Sequence, residues 1–395
     1  MGAQAQGLYR PARAGGTVRT MSLPVTPGVV VGTPDCARNA PARARGLSWS
    51  AVEHVGPAWF PAAMGTGILA TCTQGLAAAV PVLHGPALLL LALAWLVLAA
   101  VGGTFLRHAL RRPDRFRATV ADLAVAPFYG AVSMGLLAVG SATLAVAGPH
   151  LPATATAAAW ALWAAGTLLG VVTAVAHPVR LLAAGPAGRG APTPVWALPV
   201  VPPMVSASGG AVLAGTLPPT AASAVLLLCG ALFVLALSLG TVVFALAYGR
   251  LARGHALPLQ GSPAIWIPLG VAGQSTAAAN FVLAEADRLL PPGALAVLHE
   301  LAVGYSVLAL SLGAVAAGVA LRVTAGALQR GMTFSLSWWS FTFPVGTMSL
   351  GLLALGTTLG APWLLGASAA VCACLAGTVG LCLVRSVRLW GTGRP

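Results

Sequence analysis

The chain has 395 residues, 58% hydrophobic and only 7% charged, against about a quarter charged in a soluble domain, so a water-soluble globular protein is excluded. Its net charge of +14 comes from 21 arginines and no lysine. The arginines stand in short stretches between apolar runs, which argues for membrane topology and against a nucleic-acid surface. Cys36, Cys72, Cys229, Cys372, Cys374 and Cys382 form no CxxC pair, so no disulfide, metal site or other cofactor is expected.

Residues 1–46 are rich in Arg, Pro, Gly and Ala, cannot build a core, and are expected to form a disordered basic tail, with Met21 an equally good start. Residues 47–385 form the expected membrane domain and 386–395 a basic cytoplasmic tail, with Glu53 and His54 marking the interface before the first span. Ten apolar segments follow, at about 57–79, 84–106, 122–147, 155–176, 194–217, 222–249, 263–284, 293–321, 334–358 and 361–384, each near the ~20 residues that cross a bilayer core. Twenty arginines fall before the odd segments or after the last one, against Arg288 alone in the opposite loops. The positive-inside rule then makes both termini cytoplasmic. The arginine-only basic set, with so much Ala, Gly and Pro, reads as a high-GC genome, and the expected location is a bacterial inner membrane.

Odd segments share a mark, a proline, often beside an aromatic, and then small residues. The first has Pro61, Gly65, Thr66 and Gly67; the third Pro127, Phe128, Gly130 and Ser133. The fifth has Pro203 and Ser206, the seventh Pro268, Gly270 and Ser275, the ninth Phe341, Phe343, Pro344 and Thr347. Even segments are Leu-rich and nearly featureless. Proline and glycine uncover backbone, which hydrocarbon tolerates only where protein or a water-filled path covers it. The expected architecture is therefore an all-α membrane protein of ten helices, paired as five hairpins in quasi-fivefold arrangement around a central pore. In this reading the prolines break the inner helices, and the residues just named line the pathway. Gly and Ala also serve plain helix packing.

The inner segments carry no Arg or Lys in their interior. A neutral path with a basic inner mouth suits weakly held small anions, since a fixed arginine would trap them. Phe60, Phe128 and Phe343, each next to a proline, are the candidate gates, and Phe343 directly before Pro344 is the expected one; packing between helices is the alternative for its ring. The intramembrane pair His299–Glu300 makes Glu300 a proton-coupling candidate, with Asp122 the other. A membrane enzyme is disfavoured, because no HExxH, paired acids or Ser/His/Asp set appears.

The stretch WWSFTFP at 338–344 resembles the signature of the tellurite-resistance/dicarboxylate transporter family, which includes yeast malate and sulfite transporters and plant slow anion channels. GPAWFPAAMGTGILA at 56–70 and IPLGVAGQSTAAA at 267–279 are similar to that family's first and seventh spans. The resemblance covers roughly 50–385. It implies ten helices as five hairpins around a pore, a homotrimer, and a pore phenylalanine as gate, which by motif is Phe343. The expected function is an anion channel or facilitator for mono- or dicarboxylates, sulfite or nitrate, and its alternative a proton-coupled dicarboxylate or sulfite carrier. Kinase control is not implied, because the plant channels' long regulatory tail has no counterpart here.

Overall fold

The computed structural model describes residues 55–188 and 190–392. The tail expected over 1–46, Glu53, His54 and Arg189 lie outside these residues. The described residues form eleven α-helices and no strand: α1 (Pro61–Ala77), α2 (His84–Arg111), α3 (Pro113–Ala121), α4 (Phe128–Ala147), α5 (Pro152–Gly188), α6 (Pro202–Ala214), α7 (Pro219–Ala252), α8 (Ile267–Ala286), α9 (Pro292–Gln329), α10 (Thr342–Leu359) and α11 (Pro362–Thr392). Residues 386–392, expected as tail, continue α11.

Eight helices, some with the turn that leads into them, are long and apolar enough to cross a membrane, and the protein is a multi-pass membrane protein. The other two of the ten expected are α1, with 17 residues, and α8, whose 20 residues include Gln274, Asn280 and Glu285. The two chemical classes seen in the sequence are two environments in the fold. In α4, and in α6 and α10 with their lead-in turns, 61–89% of the most apolar window is buried; in α2, α5, α7, α9 and α11 the share is 22–33%. Leu89, Leu96, Leu168, Leu227 and Leu312 are among the exposed side chains of this second group.

The five buried helices touch one another in sequence: α1 packs on α4, α4 on α6, α6 on α8, α8 on α10, and α10 on α1. Each exposed helix packs on the buried helix before it and the one after it, with α11 resting on α10 and α1. Small residues make these approaches possible. A Cβ on Gly67 would stand 2.9 Å from the carbonyl carbon of Ala138, and one on Gly273 would overlap the backbone of Thr347. At these points helix backbones meet with no side chain between them.

The prolines begin helices; they do not break them, which corrects the expectation drawn from the sequence. Pro61 and Pro202 open α1 and α6, Pro203 and Pro268 follow within the first turn of α6 and α8, Pro127 caps α4, and Pro344 is the third residue of α10. In the first turn the missing N–H has no partner to lose, and the fixed φ suits the helix. Short 3₁₀ turns lead into four of them, at Pro57–Trp59, Pro194–Ala197, Leu259–Trp266 and Leu336–Phe341. Helix α3 falls in what the sequence offers as a basic loop. Arg180 holds its C-terminal end, donating to the carbonyl oxygens of Val120 at 2.6 Å and of Ala121.

This packing yields a direct expectation. Gly273→Ala forces α8 and α10 apart, and overpacking of this kind costs about 1–3 kcal/mol, so the thermal midpoint in detergent should fall. Gly230→Ala, where an added Cβ meets nothing within 4 Å, should leave the midpoint unchanged or slightly raised. Equal behaviour of the two variants would count against the backbone contact.

Candidate functional site

The inner helices enclose a cavity of about 560 Å³ to which all five contribute. Its lining includes Thr71 and Gln74 of α1, Ser141 and Leu144 of α4, Ser208 and Val212 of α6, Asn280 and Phe281 of α8, and Leu350 and Thr357 of α10. Helix α5 adds Ala159 and Trp163. No lining residue is charged. At the C-terminal ends of the inner helices the cavity reaches the exposed residues Ala78, Ala284 and Thr357. The most N-terminal lining residue of each helix marks the other end: Ile68, Leu137, Val205, Gln274 and Phe343. These five are four apolar side chains and one amide. Phe343 is only 4% exposed and lies about 21 Å along α10 from Thr357, at 1.5 Å per residue.

Phe343 is thus brought to the closed end of the cavity, and the other pathway residues expected from the sequence do not border it. Pro61, Pro127, Pro203, Pro268 and Pro344 occupy helix starts. Thr66, Ser133, Ser206, Ser275 and Thr347 are fully buried. Four of these hydroxyls donate to carbonyl oxygens, Thr66 to Ala62 at 2.9 Å, Ser133 to Gly166 at 2.6 Å, Ser275 to Ala272 at 3.2 Å and Thr347 to Pro344 at 2.8 Å. Ser206 offers its carbonyl to the indole N–H of Trp163 at 2.8 Å. Gly65 faces Thr342, Gly67 faces Ala138, Gly130 meets the carbonyl of Leu198, and Gly270 lies beside Pro344. Phe128 is half-buried against the central apolar cluster. Phe341 stacks edge-on against Trp266 and Trp338, with ring centroids 5.7 and 5.6 Å away. Two residues apart on the chain, Phe341 and Phe343 serve different surroundings, one an aromatic anchor, the other the cavity floor.

The WWSFTFP stretch fixes that floor from below. Trp339 is buried in the turn before α10, and its indole N–H donates to Ser386 of α11 at 3.0 Å. Thr342 donates to the carbonyl of Trp339 at 2.8 Å and fills the space left by Gly65. The first turn of α10, and Phe343 with it, is held against α1 and α11.

The chain matches the voltage-dependent anion channel family over residues 54–387. It belongs to that family. Among its relatives, a sulfite efflux pump SSU1 of Trichophyton rubrum is 27% identical over 327 residues, covering 80% of this chain and 85% of the relative. A sulfite efflux pump SSU1 of Arthroderma benhamiae is equally similar over the same shares. One of Arthroderma otae is 26% identical over 317 residues, covering 78% and 83%. These relatives are fungal. The family match agrees with the resemblance carried by the WWSFTFP stretch.

In this anion channel family member the proton-coupling candidate Glu300 is exposed on α9, and it does not line the cavity. Asp122 accepts from the backbone N–H of Ala124 at 2.8 Å, in the turn between α3 and α4. Arg288 donates to Glu285 at 3.0 Å and to the carbonyl oxygen of Ala214 at 2.6 Å, tying the end of α8 to the end of α6. Gln274 and Asn280 border the cavity; Gln274 belongs to the small polar run that follows Pro268 in the seventh segment without being one of the expected lining residues, and Asn280 stands outside that run. The available signal was an amide inside an apolar span.

Accessibility distinguishes this lining from the residues picked by sequence. Single cysteines at Thr71 and Ser141 should react with a water-soluble thiol reagent, in a background where the exposed Cys374 is replaced. Cysteines at Thr66 and Ser133 should not. Labelling of the second pair at the rate of the first would contradict the geometry.

Proposed function

We propose that the protein passes small oxyanions, sulfite foremost, along the axis of the cavity, with Phe343 as the gate. The observation that carries this reading is a neutral cavity walled by all five inner helices and closed at one end by Phe343 among Ile68, Leu137 and Val205. The neighbour order of the inner helices supports ten membrane helices, α1 and α8 included, paired as five hairpins in quasi-fivefold arrangement around that axis. An apolar constriction stops ions by excluding water, and they follow only when the ring moves. The charge of the cargo is supported by the family, and sulfite by the names of the relatives. Arg111, Arg112, Arg250, Arg253 and Arg330 stand where outer helices end, and in this reading they flank the mouth beyond Phe343 and raise the local anion concentration. With that mouth cytoplasmic, both termini lie inside and the cavity opens outward. In a homotrimer each copy has its own path, and the exposed leucines of the outer helices meet lipid or a neighbouring copy.

Purified protein in liposomes, with sulfite flux measured, tests this. Phe343→Ala should raise flux several-fold above wild type, because it opens the floor to water. Phe341→Ala should leave flux flat or lower and cost stability, about 3–5 kcal/mol for a buried ring. A folded Phe343→Ala protein with unchanged flux would remove the gate.

A further inference from the structure

The polar groups at the closed end of the cavity are arranged to receive hydrogen bonds. Gln274 is 2% exposed. Its amide N–H donates to the hydroxyl of Ser208, whose own proton goes to the carbonyl of Val205 at 2.9 Å. That chain uses one N–H of the amide and leaves the carbonyl oxygen Oε1 of Gln274 buried with no partner among the described residues. Asn280, two turns further along α8 and also 2% exposed, repeats the pattern. Its amide N–H groups donate to the carbonyl of Thr276 and the hydroxyl of Ser306, both at 2.8 Å, while its Oδ1 is buried and unpartnered. Thr71 and Thr357, also on the lining, give their protons to Gly67 and Leu353 of their own helices. Lone pairs are left over, and no Lys, Arg or His borders the space. A buried acceptor without a donor is costly, and that cost is recovered when a donor arrives.

An oxyanion without a proton is all acceptor: the free side-chain donors of the lining, Gln74, Ser141 and Thr358, lie further along their helices than the floor residues Ile68, Leu137 and Phe343, and at Gln274 it meets an unpartnered acceptor. A hydrogen oxyanion carries one O–H and a smaller charge to desolvate. From this we infer that Gln274, with Asn280 above it, selects the protonated monoanion, hydrogen sulfite in place of the sulfite dianion. The O–H of the monoanion donates to Oε1 of Gln274, which a turn of the terminal amide brings toward the cavity, and the proton travels with the anion. This rests on the reading of the protein as an oxyanion path. The titratable and charged groups on α8 and on the helices packed against it are Glu285, Cys229, Tyr248, Tyr305, His299, Glu300, Arg250 and Arg322; none borders the cavity. The pH dependence therefore belongs to the anion.

The test uses the full chain in liposomes, with sulfite and nitrate as probes, since nitrate stays unprotonated throughout the range. In wild type, sulfite flux at fixed total sulfite should rise as pH falls, tracking the hydrogen sulfite fraction, while nitrate flux stays level. Gln274→Met, similar in length and without the acceptor, should lower the sulfite-to-nitrate flux ratio about tenfold, the loss expected for one hydrogen bond to a charged partner. Wild-type sulfite flux that is flat or rises with pH, with nitrate still carried, would overturn this inference alone, as would an unchanged ratio in Gln274→Met. A wild type that carries neither anion would overturn the transport reading as well. The wild-type pH profile decides the matter even where the variant fails to fold.

Discussion

Everything about the cavity depends on how closely the inner helices approach one another. Lipid supplies no hydrophobic drive between apolar helices, so contact area and backbone proximity must hold them. Each junction has its own device: Gly67 against Ala138 for α1 and α4, Gly130 against Leu198 for α4 and the entry to α6, and Gly273 against Thr347 for α8 and α10. Gly346 against Ile68, with the thiol of Cys72 donating to the carbonyl of Gly346 at 3.3 Å, joins α10 to α1. Between α6 and α8 the device is polar, the Gln274–Ser208 hydrogen bond. With small residues at the junctions, the larger side chains that remain, Ile68, Leu137 and Phe343 among them, line the space the ring encloses.

The polar chemistry follows from the same economy. A hydroxyl buried between two helices has to find an acceptor, and the nearest are carbonyls on its own helix three or four residues back. Thr66, Thr73 and Thr143 all take that course. Such groups stabilise the wall and offer a passing ion few protons. Charge is kept to the ends, where Arg180 and Arg288 close helix C-termini by donating to backbone carbonyls. The interior can then admit a charged cargo without holding it.

Much of this was legible in the sequence, and the parts that were not have identifiable causes. The alternation of small-residue and leucine-rich segments gave away which helices are buried, because only buried helices gain from losing side-chain bulk. The roles of the prolines were misread. In an unbroken apolar run, a proline at the first turn and a proline at a kink look alike, and only the 3₁₀ turns before Pro61, Pro202 and Pro344 reveal the start. The direction of Thr66, Ser133 and Thr347 was equally hidden, since a hydroxyl that satisfies its neighbour's backbone and one that faces water occupy the same sequence. Gln274 could have been found: an amide in a span is expensive unless it is used. Helix α3 was concealed by its polarity.

The central claim is that ions cross along the axis enclosed by α1, α4, α6, α8 and α10. The most direct measurement is anion flux through Phe343→Ala protein carrying a single cysteine at Ser141, before and after a bulky thiol reagent is attached there. Flux should drop to the level of protein-free liposomes once the adduct fills the cavity. Flux that persists with the adduct fully in place would put the path elsewhere in the molecule.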